Sequence, residues 1–205
     1  VHGQTGTETD IIFTEEKREQ ARKQLKRLLS TYDLDPWIIT TEVKIEEEVD
    51  PHSKPILTLN TKYLDSDPIQ LSIFIHEQAH WLPWEKRKAA IEDLAKLYPN
   101  ITGIPNTEDI PEDKKERVAD IKEGIYNHLI IGWVEYDAMV ELVGEEEARK
   151  ILGEKIDRIV EEPYSNLEKT FVWYYEKVLD ETEKVGEILS KHDLIITPEK
   201  GIIVN

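Results

Sequence analysis

The chain has 205 residues, with 43 Asp and Glu against 26 Lys and Arg for a formal net charge of −17, and it contains no cysteine. That balance argues against nucleic acid or an anionic membrane surface as the main partner, and the missing thiols remove disulfides, thiolate metal ligands and a cysteine nucleophile. A hydrophobic fraction of 39% with five Trp and eight Tyr is enough for one sizeable domain, residues 1–205, with its own core.

Glu is spread along the whole chain, so the charge reads as a solvated acidic surface rather than as an acidic cleft for cationic peptides. No uncharged run approaches the length of a membrane span, and the first ten residues are polar without the apolar core of a signal peptide. Cytoplasm is favoured; because the chain begins at Val1 without Met, a secreted form with a removed leader stays compatible.

Thr14-Glu15-Glu16-Lys17 opens a first helix that runs to about Ser30, with Ala21, Leu25, Leu28 and Leu29 on its apolar side. Asp35-Pro36 breaks it, and Trp37 to Ile45 reads as a strand ended by the acidic run Glu46-Glu47-Glu48. Asp50 to Pro55 is a turn in which His52 is solvated, and Ile56 to Thr61 returns as a second strand, pairing with the first as a hairpin.

Asp67-Pro68-Ile69-Gln70 then reads as an N-cap, a proline at the first helical position and a reciprocal capping residue. Ile69, Ile73, Phe74 and Ile75 make this helix apolar before it reaches His76-Glu77-Gln78-Ala79-His80. Two histidines four residues apart on a helix share a face and can reach one metal ion, with Glu77 beside them as a base for an activated water. Without a metal, burying two imidazoles and a carboxylate is costly; the plain alternative is two partly exposed histidines on an amphipathic helix.

His76-Glu77-x-x-His80 resembles the active-site helix of the zincin metallopeptidases. The likeness takes in Pro55 to Thr61, which sits where zincins carry the edge strand lining the substrate cleft, and covers about a third of the chain. It implies an α+β fold, mostly helical, with a small sheet whose edge strand precedes the metal helix.

Beyond the motif, Trp81-Leu82-Pro83-Trp84-Glu85 offers neither the Gly turn nor the His of zincins that place a third ligand shortly after it, so that ligand comes from farther on. Glu85 to Tyr98 is a further helix, and Pro99 to Asp113 a long loop. From about Glu116 to Val143 a long helix follows, capped by Gly144, and its middle, Ile125 to Tyr136, is apolar almost all round and therefore buried. His128, Gly132 and Glu135 share one of its faces, and Gly132 would let the metal helix approach closely.

This arrangement looks like the second helix of the gluzincins, whose third zinc ligand is a glutamate. The resemblance implies Glu135 as third ligand and leaves His128 to donate to the oxyanion, a role Tyr126 or Tyr136 could share. His128 is the rival ligand, giving a three-histidine site; the two lie about 10 Å apart along the axis, so one ion takes one of them. Met139 stands where thermolysin-like enzymes carry an acid, so the partner of His76 or His80 comes from elsewhere, and Asp137 faces the wrong way.

Glu145 to Val160 is amphipathic and Pro163 breaks it. Ser165 to Lys191 reads as one long helix with Phe171, Trp173, Tyr174 and Tyr175 in the core and His192 at its end, and Leu194–Thr197 with Ile202–Val204 as a short hairpin. The resulting expectation is a metallopeptidase with one zinc ion per chain on His76, His80 and Glu135. Glu77 is its general base, and a peptide or protein substrate adds as a strand near Ile56 to Asn60. A hydrolase of a non-peptide amide or ester would use the same groups. A non-catalytic binding protein on a zincin fold is the third reading, against which the intact Glu77 weighs.

Overall fold

The computed structural model describes residues 14–161 and 170–198. It is mostly helical, with one small two-stranded sheet, as expected of the α+β class. None of its helices is long and apolar enough to cross a membrane.

Helix α1 (Thr14–Thr31) buries Ala21, Leu25 and Leu28, while Leu29 turns outward. The segment expected as a strand over Trp37 to Ile45 is mostly irregular. Asp35-Pro36-Trp37 is a 3₁₀ turn, and only β1 (Val43–Ile45) is extended and paired. The backbone of residues 39–40 finds its partner in a side chain instead. Gln78 accepts from the amides of Ile39 and Thr40 at 2.8 and 2.9 Å and donates to the Thr40 carbonyl at 2.8 Å, so these polar groups are satisfied without a ladder.

Strand β2 (Leu57–Leu59) pairs with β1 in parallel, Val43 opposite Leu57 and Ile45 opposite Leu59, not as the expected hairpin. The connection turns after the acidic run, where Glu48 takes φ 56°, and carries the chain back to the start of the sheet, as a parallel pair requires. On its way it places His52 against the other side of β2, with mutual backbone bonds to Thr58 at 2.7 and 3.1 Å. β2 is therefore fully buried between two neighbours and has no free edge at Thr58 for an added strand.

Helix α2 (Asp67–Ala79) starts one residue earlier than expected: Ser66 is the cap, accepting from the Ile69 amide at 3.4 Å. Asp67 instead receives Nε of Arg27 at 2.9 Å and Nε2 of Gln24 at 3.0 Å, which fastens the first turn of α2 to α1. Every residue from Ile69 to Ala79 is buried. Such a helix is held by neighbours on all sides rather than along one stripe.

The remaining helices are α3 (Trp84–Leu97), α4 (Glu112–Val143), α5 (Glu145–Glu161), α6 (Thr170–Asp180) and α7 (Thr182–Lys191), and α2 packs on α1, β2, α4 and α5. α4 is the axis of the assembly and packs on α2, α3, α5, α6 and α7; it ends at Gly144, whose φ of 86° suits a residue without Cβ. The single helix expected up to Lys191 breaks at Glu181. The break lets α7 settle with Gly186 against Trp133, where a Cβ would lie 2.8 Å from Cζ2 of the indole, and Trp133 Nε1 donates to the Thr182 carbonyl at 2.8 Å. Residues 194–197 are irregular rather than a strand, with Leu194 and Ile196 buried against the core. The break at Pro163, the helix start at Ser165 and the strand Ile202–Val204 lie outside the described residues.

Candidate metal centre

α2 and α4 cross antiparallel, and this register decides which side chains meet. His128 on α4 is level with His76 and His80, with ring centroids 5.9 and 5.1 Å away, and the two α2 rings are 5.2 Å apart. One donor nitrogen from each of the three lies within 4.8 Å of the others, so His76, His80 and His128 could hold a metal ion.

Glu135, expected as the third ligand, stands about two turns farther along α4. There it meets Ser72 and the back of His76. Fully buried, its carboxylate accepts from Nδ1 of His76 at 2.7 Å and from the Tyr175 hydroxyl at 3.2 Å, and in close contacts from Ser72 Oγ and Lys155 Nζ. It is thus the outer partner of His76, the acid sought for that ring. His128 stands with His76 and His80 in the group that could hold a metal, the position the rival reading gave it.

The hydrogen bonds assign the tautomers. A carbonyl and an ionised carboxylate only accept, so Nδ1 carries a proton both in His128, which faces the Gly124 carbonyl at 2.8 Å, and in His76, which turns each Nε2 toward the other rings. Burial, with the neighbouring imidazoles, keeps His80 far below the ordinary histidine range and His128 at about 4. Neutral rings with free lone pairs are what metal coordination requires. Burial alone would raise Glu135, but the Lys155 ammonium and the His76 hydrogen bond outweigh it and hold the acid below its usual value.

Glu77 is 6% exposed and has no hydrogen-bond partner among the described residues. Burial raises it above the ordinary carboxyl range, with His76 and Lys155 opposing. It opens, with the three histidines, into a cavity of ≈ 420 Å³. The rest of the wall includes Ile73, Ile159, Phe171 and Tyr174, with Arg158 and the turn at Pro51-His52. Phe171 and Tyr174, expected as core, also stack near His128 at 5.1 and 5.7 Å, whereas Trp173 is core as expected.

Other sequence expectations are placed differently. Tyr126 donates to the Tyr98 carbonyl at 2.5 Å, and Tyr136 lies along a second cavity with Asp137, so neither reaches the histidines. Gly132 makes room for α6 rather than for α2, since a Cβ there would lie 2.9 Å from Cε2 of Tyr174. The strand Ile56 to Asn60 does not line the cavity. Sequence reasoning missed Ser72, Lys155 and Tyr175 around Glu135, and also Arg87, which ties the His80 carbonyl at 3.1 Å to Asn127 Oδ1 at 2.6 Å. Ser72 carried a signal: it is the polar residue one turn before His76 in an apolar helix.

Compared with models of known protein families, with curated proteins and with solved structures, the chain matches none.

Proposed function

We propose that the protein is a zinc-dependent hydrolase of peptide bonds, with zinc on His76, His80 and His128 and Glu77 as general base. The observation that carries this reading is Glu77: a buried carboxyl without a hydrogen-bond partner among the described residues, opening into the same cavity as three clustered imidazoles. A purely structural site has no use for such a group.

Zinc bound there would supply Lewis acidity, acidifying a water and polarising the carbonyl. Glu77 takes a proton from the attacking water; the hydroxyl goes to the acyl carbon, the C–N bond breaks, and Glu77 returns the proton to the departing amine. Its raised affinity for protons suits both halves of that task. Glu135 holds the His76 ring with Nδ1 protonated, the Gly124 carbonyl does the same for His128, and the apolar wall limits competing water.

The closed flank of β2 favours a small substrate or a chain end over an extended polypeptide laid along the sheet. A small non-peptide amide or ester is the second reading that this observation supports. Zinc content and turnover on a panel of short peptides, amides and esters test both. Glu77→Gln should keep the metal and lose about 10²- to 10⁴-fold in rate, whereas His80→Ala should lose both; a fully active Glu77→Gln enzyme would sink the mechanism.

A further inference from the structure

Among the described residues, the wall of the cavity carries one cation that this chemistry does not use. Arg158, on α5, lines it with its guanidinium over the ring of Tyr63, 5.3 Å from the centroid. Among the described residues no carboxylate pairs with it, including Asp50, which lines the same cavity. Arg22, Arg27 and Arg149 show the contrast, each engaged by Asp or Glu on the acidic surface. The other cation in the wall, Lys155, is committed to Glu135.

We propose that Arg158 receives a carboxylate of the substrate while the scissile bond lies at the three histidines. This assignment rests on the hydrolytic reading of the site. Guanidinium is always charged and offers a planar fork that matches a carboxylate with two parallel hydrogen bonds. Its place over the Tyr63 ring restricts the guanidinium, so less freedom is lost when the carboxylate arrives. In a chain of net charge −17 a carboxylate is repelled from most of the surface, and at this cavity the Arg158 guanidinium opposes that repulsion. Ile73, Ile159 and Phe171 offer an apolar wall for the side chain between the two anchoring points. A cavity of ≈ 420 Å³ suits a ligand of one or two residues. The carboxylate is either the C-terminus of a peptide or an acidic side chain.

The test uses the full chain with zinc and three substrates: an N-acyl dipeptide ending in Phe with a free carboxylate, its C-terminal amide, and the amide with Glu in place of Phe. The free acid, the Glu amide or both should exceed the Phe amide in kcat/KM by at least about tenfold, the scale of a charge-assisted hydrogen bond. Arg158→Gln should erase that ratio without changing zinc content. A Glu amide that alone exceeds the Phe amide assigns the carboxylate to the side chain, and a free acid that alone does so assigns it to the chain end. A calorimetric comparison of N-acetylphenylalanine with its amide, on the parent and Arg158→Gln, reads the site without turnover. Acid-selective binding that Arg158→Gln abolishes supports the carboxylate site even if no substrate is hydrolysed, in which case only the hydrolytic reading fails. Equal treatment of the free acid, the Phe amide and the Glu amide by the parent, or a preference that survives Arg158→Gln, overturns the assignment.

Discussion

Nδ1 of His76 donates to Oε2 of Glu135 at 2.7 Å, and in the proposed site this bond separates the groups that would touch a metal from those that would aim them. A carboxylate behind an imidazole fixes its tautomer and makes the free nitrogen more basic; removing such a partner weakens metal binding by about 10- to 100-fold. Glu135→Gln should therefore bind zinc more weakly by that factor, and His128→Ala, which removes a donor, should lose it far more completely. Zinc retained against graded concentrations of a competing chelator measures both. Complete loss in Glu135→Gln with retention in His128→Ala would return Glu135 to the ligand position.

Lys155 and Glu135 form a buried ion pair, with side-chain exposures of 12% and 0%. Removing one partner of such a pair typically costs about 3–5 kcal/mol, because the other charge stays buried, whereas replacing both by apolar groups can be nearly neutral. Lys155→Met should lose stability on that scale, and Lys155→Met/Glu135→Leu should recover much of the loss. Urea unfolding of the apo proteins would show it; strictly additive effects would mean that the pair carries no coupling.

What the sequence made legible follows from what periodicity encodes. The apolar run Ile69 to Ile75 and the His76-Glu77-x-x-His80 spacing identify α2 and two of the three donors, and the apolar stretch around Ile130 identifies α4 as buried. One-dimensional pattern could not give the register of α2 against α4. Both His128 and Glu135 face α2, and only the antiparallel crossing decides that the imidazole is level with His80 and the carboxylate with Ser72. Residues 38–42 misled for a related reason: β-branched side chains suggested a ladder, yet the hydrogen-bond partner there is the side chain of Gln78. Gly132 signalled a close approach but not by whom, since the aromatic that fills the space comes from α6.

That close approach is itself testable. A Cβ on residue 132 would lie 2.9 Å from Cε2 and 3.0 Å from Cδ2 of Tyr174, a ring only 3% exposed that has little room to yield. Overpacking of this kind costs about 1–3 kcal/mol. Gly124, on the same helix, has no atom within 4 Å of its would-be Cβ, and Gly to Ala in an open helical position gains about 0.5–1 kcal/mol. Gly132→Ala should lower Tm, by about 2–4 °C for each kcal/mol lost, and Gly124→Ala should hold or raise it. Equal effects at the two positions would contradict the packing described.

Asp137, on the partly covered side of α4, gives a pH signature. Burial first, and then the nearby Glu141 carboxylate, raise it from 3.8 to about 6. A carboxyl that holds its proton more tightly when folded costs nothing below its unfolded value. It destabilises the fold progressively between about pH 4 and pH 6, and the full cost remains above that. The shift corresponds to at most about 3 kcal/mol, and solvent screening of a partly exposed group reduces this to about 1–2 kcal/mol. Asp137→Asn stays neutral throughout, so at pH 8 it should be more stable than the parent by that amount, and the advantage should vanish as the pH falls to 4. Thermal unfolding of both apo proteins across this range isolates the effect, because titrating groups that do not interact with Asp137 cancel in the difference. A difference in stability independent of pH would show that Asp137 ionises in the folded protein as it does in the unfolded chain.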